Sequence, residues 1–297
     1  LMNLAAILCW SIPPLAIRYL KDSYSALFQT ASRYLVSLVV LWAFNLAGRG
    51  RSGAPAELKA MIRLWPRLLL VALANYAFQV SFTYGFYLLY PGVGTLIHQS
   101  SVLFSVTLAA ALFADERAML RTAGFMVGLA AAIAGVVLTI VGGRRFGTLE
   151  FGLGVLLMLG SAACWALLGA LIRKWLGRVS PAFAVSTILT MVTPLFFITL
   201  AATEGGVHLP AAPPGAWVVL VLSGLVGVGL GHSLYYRCMP VLGLAVSSSL
   251  SLLIPLLVVV ASRLVFGERL TPLQLIGGVT LLGGSYLVIR SRFRTMR

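Results

Sequence analysis

Arg33 and His98 are the side chains best placed for chemistry, because each lies deep inside a long apolar run. Arg33 sits nine residues beyond Tyr24, about 13 Å along a helix at 1.5 Å per residue. A guanidinium at that depth needs a partner. All seven acids (Asp22, Glu57, Asp115, Glu116, Glu150, Glu204 and Glu268) fall in loops or at the ends of apolar runs. Arg33 therefore either binds an anionic group of a small molecule, such as a carboxylate or phosphate, or ties its helix to neighbours through carbonyls and hydroxyls. His98 belongs to a polar stripe: Thr95, His98, Ser101 and Ser105 recur at spacings of three, three and four, which is one helical face. Gln99 flanks it. Such a stripe faces protein or water rather than lipid, and its plainer use is hydrogen bonding between helices.

Other candidates are weaker. Asn75 and Gln79 are four residues apart, with Tyr76 beside them. His232 precedes Tyr235 and Tyr236, and Ser247, Ser248 and Ser251 form a second stripe. Trp10 and Trp165 are candidates to stack on a bound molecule from both sides. Aromatics near helix ends also build interfacial belts, which is the alternative for all of them. Gly231-His232-Ser233 resembles a hydrolase pair only in print, since adjacent helical residues point about 100° apart and the base must reach the nucleophile. The sequence has no carboxylate pair, zinc-ligand cluster or phosphate loop, and Cys9, Cys164 and Cys238 read as packing residues. We expect no catalysis, no metal and no cofactor.

The elements that must position these residues are membrane helices. The chain is 60% hydrophobic and 10% charged, with mean hydropathy +0.99, against about 25% charged in soluble domains. Apolar runs of bilayer length recur along it, and they lack the alternation of a β-barrel. Ten spans are expected, roughly 2–20, 24–47, 66–89, 91–113, 119–141, 151–173, 181–203, 215–237, 240–265 and 271–290, with a short surface helix near 56–64. The first is no signal peptide, because it lacks a basic start and is interrupted by Pro13, Pro14 and Arg18. The net charge of +15 lies in short loops, where it reads as a topology signal rather than a nucleic-acid surface. With a cytoplasmic N-terminus, fifteen of the 22 Lys and Arg residues fall at inside ends and six at outside ends. That places both termini in the cytoplasm, in the cytoplasmic (inner) membrane.

The sequence also repeats. One copy opens Pro91-Gly92-Val93-Gly94, breaks at Ala114-Asp115-Glu116-Arg117 and resumes as a Gly/Ala-rich run. The other opens Pro240-Val241-Leu242-Gly243, breaks at Gly267-Glu268-Arg269 and resumes through Gly277 and Gly284. Trp10 matches Trp165 and Arg33 matches Ile188 at an offset of 155; Tyr87 matches Tyr236, and His98 and Gln99 match Ser247 and Ser248, at 149. Residues 1–141 and 151–290 are thus two five-span repeats, joined by 142–150 and followed by a basic tail, 291–297. Five is odd, so the second enters from the opposite side, an inverted-topology repeat. After Asp115 the glycines fall at Gly124, Gly128 and Gly135, a spacing read as different from the second copy. The hairpin acids are expected to complement the dipole of the helix that follows them.

Trp10, Ala31-Ser32-Arg33-Tyr34-Leu35, Pro91, and Phe266-Gly267-Glu268-Arg269-Leu270-Thr271 leading to Gln274, Gly277 and Gly284 resemble the EamA-type branch of the drug/metabolite transporter superfamily. The resemblance covers nearly the whole chain. It implies an all-α membrane protein of ten helices, two five-helix bundles around a central cavity, and alternating access without ATP. Its expected partners are a small-molecule substrate and the lipid bilayer, with no nucleic acid and a monomer sufficient for the cavity. The resemblance leaves the substrate open, since members carry amino acids, nucleosides, sugars, amines and other metabolites; the function expected here is export of a small polar metabolite, an amino acid or related zwitterion or anion, and the alternative is an amphipathic lipid or lysolipid translocator of the same fold.

Overall fold

The computed structural model describes residues 2–48, 54–113, 117, 120–176, 181–234 and 250–295, and among them it contains no strand. The helices are α1 Met2–Leu20, α2 Ala26–Gly48, α3 Ala54–Leu88, α4 Pro91–His98, α5 Ser101–Leu112, α6 Ala123–Val141, α7 Leu149–Leu176, α8 Pro181–Glu204, α9 Pro214–Ser223, α10 Leu253–Phe266 and α11 Pro272–Thr295. A π-helical turn, Gly224–Leu230, extends α9 to Leu234. Proline opens α4, α8, α9 and α11, where its missing N–H costs nothing and its φ already suits a helix. Among the described residues nine helical spans are long and apolar enough to cross a bilayer, and α10 is a shorter tenth. The chain is a multi-pass membrane protein.

Two elements differ from the sequence reading. No separate helix lies near 56–64: α3 runs unbroken from Ala54 through Pro66 into the third span. The fourth span is two helices. Between α4 and α5 the Gln99 and Ser100 region tightens to three-residue hydrogen bonds, Ser100 N–H to the Ile97 carbonyl (3.0 Å) and Leu103 N–H to the Ser100 carbonyl (2.9 Å). No glycine or proline marks this turn. Counting back from Phe113 and Phe266, Gln99 falls on Leu252, and the two share a backbone conformation: Gln99 has φ/ψ of −61°/−16° and Leu252 −64°/−13°. By that count His98 corresponds to Ser251, whereas the count from Pro91 and Pro240 gives Ser247, which lies outside the described residues.

The packing follows a pseudo-two-fold axis. α3 lies on α7, and its equivalent pair, α1 and the π turn, does the same; α5 lies on α7, as α10 lies on α1. Two pairs are their own equivalents, α2 with α8 and α6 with α11, and α4 packs on α10 of the other repeat. Helices of one repeat thus pack largely on those of the other, so the two bundles are not simply the two halves of the chain. The reason is geometric: an inverted pair buries its apolar faces against its counterpart across the axis.

The α6–α11 pair corrects the glycine reading. At an offset of 149, Gly128 matches Gly277 and Gly135 matches Gly284. A Cβ added at Gly284 would lie 2.6 Å from the Gly128 carbonyl oxygen, and one at Gly277 2.8 Å from the Gly135 carbonyl oxygen. The helices touch backbone to backbone, as small residues permit in lipid. The glycine spacing was misread by counting from the hairpin, where the two copies differ in length.

Candidate functional site

Ten elements enclose one cavity of about 700 Å³. Its middle is lined by Trp10 of α1, Arg33 of α2, Gln79 of α3, Thr95 and His98 of α4, Trp165 of α7, His232 beyond the π turn, and Ser251. Gln99, Ser101 and Ser105 continue the wall, so the whole stripe expected of the fourth span faces this space. The tightened turn lies at the same depth. Interrupted helices at mid-bilayer are a recurring way to build polar sites in transporters.

Four of these side chains hold polar atoms without a partner among the described residues. They are all three guanidinium nitrogens of Arg33, Oε1 of Gln79, Oγ1 of Thr95 and Nε2 of His98. Arg33 is 1% exposed, Gln79 4% and Thr95 6%. Buried polar atoms are almost always bonded, so such a cluster requires an explanation. The backbone that carries Arg33 is fixed: Ser37 Oγ lies 2.8 Å from the carbonyls of both Arg33 and Gly224. A Cβ at Gly224 would sit 2.7 Å from the Arg33 carbonyl oxygen, so the π turn holds α2 against it. Among the described residues, the Arg33 side chain has no hydrogen-bond partner that would tie its helix to a neighbour.

Aromatic rings form the rest of the wall. His232 lies 5.3 Å from Trp10, Trp10 6.2 Å from Trp165, Trp165 5.0 Å from Phe78, and Phe82 5.1 Å from His98, centroid to centroid. His232 Nδ1 is 2.9 Å from the Val228 carbonyl. The two tryptophans meet edge to face at 88°. No ring fits between them, and they make one wall rather than two jaws.

Among the described residues, the cavity lining extends toward one end of the spans, to Phe113, Arg173 and Leu176, with the Arg173 guanidinium 4.1 Å over the Phe113 ring. The opposite ends of the spans are joined by polar contacts. The Glu268 carboxylate accepts hydrogen bonds from Gly92 N (2.8 Å), Val93 N (3.0 Å) and the Ser262 hydroxyl. Its dipole role thus serves α4, in the other repeat, and not the helix after the hairpin. That helix is capped instead by Thr271 and Gln274, each bonding the other's backbone N–H. Arg18 donates to the Tyr87 carbonyl (2.6 Å) and lies 4.5 Å over the Tyr90 ring. The Tyr87 hydroxyl donates to the Tyr24 carbonyl (2.6 Å) and accepts from Gln29 (2.5 Å). Asp115 and Glu116 lie outside the described residues.

Asn75 and Tyr76 are not in the cavity wall. Asn75 Oδ1 accepts from Tyr34 (2.8 Å), and the Tyr76 hydroxyl donates to Thr199 (2.7 Å) while its ring stacks on Phe196. They join α3 to α2 and α8. Tyr235, Tyr236, Ser247 and Ser248 lie outside the described residues. Tyr34, Phe78 and Phe82 line the cavity without having been singled out as site residues; Phe82 stands one turn beyond Gln79, a spacing that would have found it.

Ten-span inverted symmetry around a polar chamber defines a secondary-transporter architecture. The EamA-like transporter family matches residues 1–141 and 152–290, so the chain belongs to that family, within the drug/metabolite transporter superfamily. An uncharacterized Pseudomonas aeruginosa protein is 26% identical over 74% of this chain and 72% of its own. An uncharacterized transporter of Haemophilus influenzae is 23% identical over 67% of this chain and 66% of its own. A probable amino-acid metabolite efflux pump of Salmonella typhimurium is 26% identical over 66% of each. The matched stretch thus covers just under two thirds of the last two relatives. A crystal structure of 19% identity aligns over 97% of this chain and 95% of its own with a TM-score of 0.67, which concerns the fold alone.

Proposed function

We propose that this protein exports a small polar metabolite, an amino acid or related zwitterion or anion, across the cytoplasmic membrane by alternating access and without altering it chemically. The observation that carries the reading is the convergence of unpartnered polar atoms from Arg33, Gln79, Thr95 and His98 on one mid-span cavity. A transported molecule would bond these groups in transit. The efflux-pump name of the Salmonella relative agrees with outward movement. The excess of basic residues at one set of span ends argues that both termini are cytoplasmic, which turns the end bearing Phe113 and Arg173 to the cytoplasm. The Glu268 side would then be the closed outer gate.

The test is transport of labelled metabolites by purified protein in liposomes without ATP. We expect Arg33→Ala and His98→Ala each to lower the rate at least about tenfold, the scale of one lost charge-assisted hydrogen bond. Rates unchanged in both variants would refute the site. Transbilayer movement of a labelled lysolipid, with no metabolite moved, would favour lipid translocation instead.

A further inference from the structure

We infer that the transported species is a monoanion without a cationic group, and that its passage carries net charge, so that membrane potential alone drives it outward. This rests on the transport reading above and narrows it. Three observations carry it.

First, among the described residues the central cavity holds one buried cation, Arg33, whose three nitrogens have no partner there. Its backbone is clamped between Ser37 and Gly224, so the charge stays with the protein. Second, among the described residues no carboxylate is placed to offset it or to receive an ammonium: of the seven acids in the chain, none of those described lines the cavity. Glu150 bonds exposed Arg145, and Glu268 is committed to the start of α4. Asp22 and Glu204 lie at span ends, and Glu57, Asp115 and Glu116 fall between spans in the sequence. Residues 235–249 contain no acid at all. Third, Ile188, the repeat counterpart of Arg33, also lines the cavity. The wall therefore carries a charge from one repeat and an apolar side chain at the equivalent position of the other, with Trp10, Trp165 and Phe78 also in the lining.

An unpaired guanidinium taken from water is costly, and one negative charge removes that cost. A zwitterion would bring an ammonium into a cavity already positive; a dianion would leave one charge unmatched. A monoanion matches the buried charge of Arg33, while Arg173 stays exposed at the mouth of the cavity. Because Arg33 does not leave, each turnover moves the charge of the solute. An interior-negative potential then favours exit, about tenfold for each 59 mV and unit charge, with no coupling ion required.

The experiment uses matched sets of solutes on one ring or alkyl body: indole-3-acetate, tryptophan and tryptamine; 4-methylvalerate, leucine and isoamylamine. Purified full-length protein in liposomes is assayed for tracer movement and for current under potassium–valinomycin potentials. We expect the carboxylates to move at least tenfold faster than their zwitterionic and cationic partners. We also expect one charge per molecule, a rate set by voltage, and indifference to an imposed pH gradient. Arg33→Lys should keep the voltage dependence, and Arg33→Gln should lose the preference for anions; monodispersity and melting point establish that each variant is folded. Tryptophan or leucine moving as fast as the acids, or acid movement that ignores voltage or follows a proton gradient, overturns the inference while leaving the transporter reading intact. If no member of either set nor of a wider metabolite panel moves, both readings fall.

Discussion

A side chain kept for ligand contact and one kept for packing should respond oppositely to removal of a single polar atom. Thr95 Oγ1 has no partner among the described residues, whereas the Tyr34 hydroxyl bonds Asn75. Replacing an unbonded hydroxyl with a methyl group of the same shape leaves nothing unpaired, so Thr95→Val should fold as stably as the parent, or more so, while transport falls. Tyr34→Phe strands the Asn75 carbonyl, which costs about 1–3 kcal/mol, and should lower the melting point. Parallel thermal melts and flux assays separate the two. At this scale the sequence was partly legible. Depth and type singled out Arg33, and helical spacing singled out the stripe through His98. Asn75 was misassigned because one turn of α3 separates it from Gln79 on nearly the same face, and only the position of α2 decides which of them meets the cavity. The partnership of Trp10 with Trp165 was legible as equivalence, but their edge-to-face contact depends on how closely α1 and α7 approach.

Helices here are held by two different devices. α6 and α11 meet through backbone, and a matched pair of substitutions tests that. Gly284→Ala would push a methyl group against the Gly128 carbonyl and Ala132 backbone and should cost about 1–3 kcal/mol as overpacking. Gly283 has open space around it, so Gly283→Ala should be neutral or gain up to about 1 kcal/mol in helix propensity. Denaturation curves in detergent are sufficient. At the closed face the device is electrostatic. Glu268→Gln keeps the shape but removes the negative charge at the start of α4, and a charge-assisted hydrogen bond contributes about 1.5–3 kcal/mol. In a background lacking the native cysteines, maleimide labelling of Leu89→Cys, buried beside that closure, should accelerate about tenfold or more. Hairpin acids were visible in the sequence, but their target was not: a carboxylate ahead of one helix served the start of another, 175 residues away in the chain.

For the molecule as a whole, the exchange of partners across the axis makes the halves interdependent. α1 lies on the π turn and α10, and α3 and α5 lie on α7. A chain cut in the loop around Gly147, where φ is +90° and no neighbour lies within 4 Å, should therefore still work when both fragments are made together. Either fragment alone should be degraded, which immunoblotting of membranes would reveal. Span number, repeat and hairpins were readable because the bilayer imposes length and polarity on every helix. The interrupted fourth span was not, since Gln99 and Ser100 are ordinary helical residues in isolation and the tightening belongs to the packed state.

One contact has a historical meaning. Ala132 and Leu281 are repeat equivalents, and a Cβ at Gly135 or Gly284 would strike the backbone at one or the other of them. The α6–α11 seam is thus a segment paired with its own inverted copy, an arrangement two separate short chains would form if each inserted in opposite senses. Joining them in one gene fixed the stoichiometry and freed the copies to diverge. Arg33 facing the chamber from one, and Ile188 from the other, is a polarity that no homodimer of identical subunits can possess.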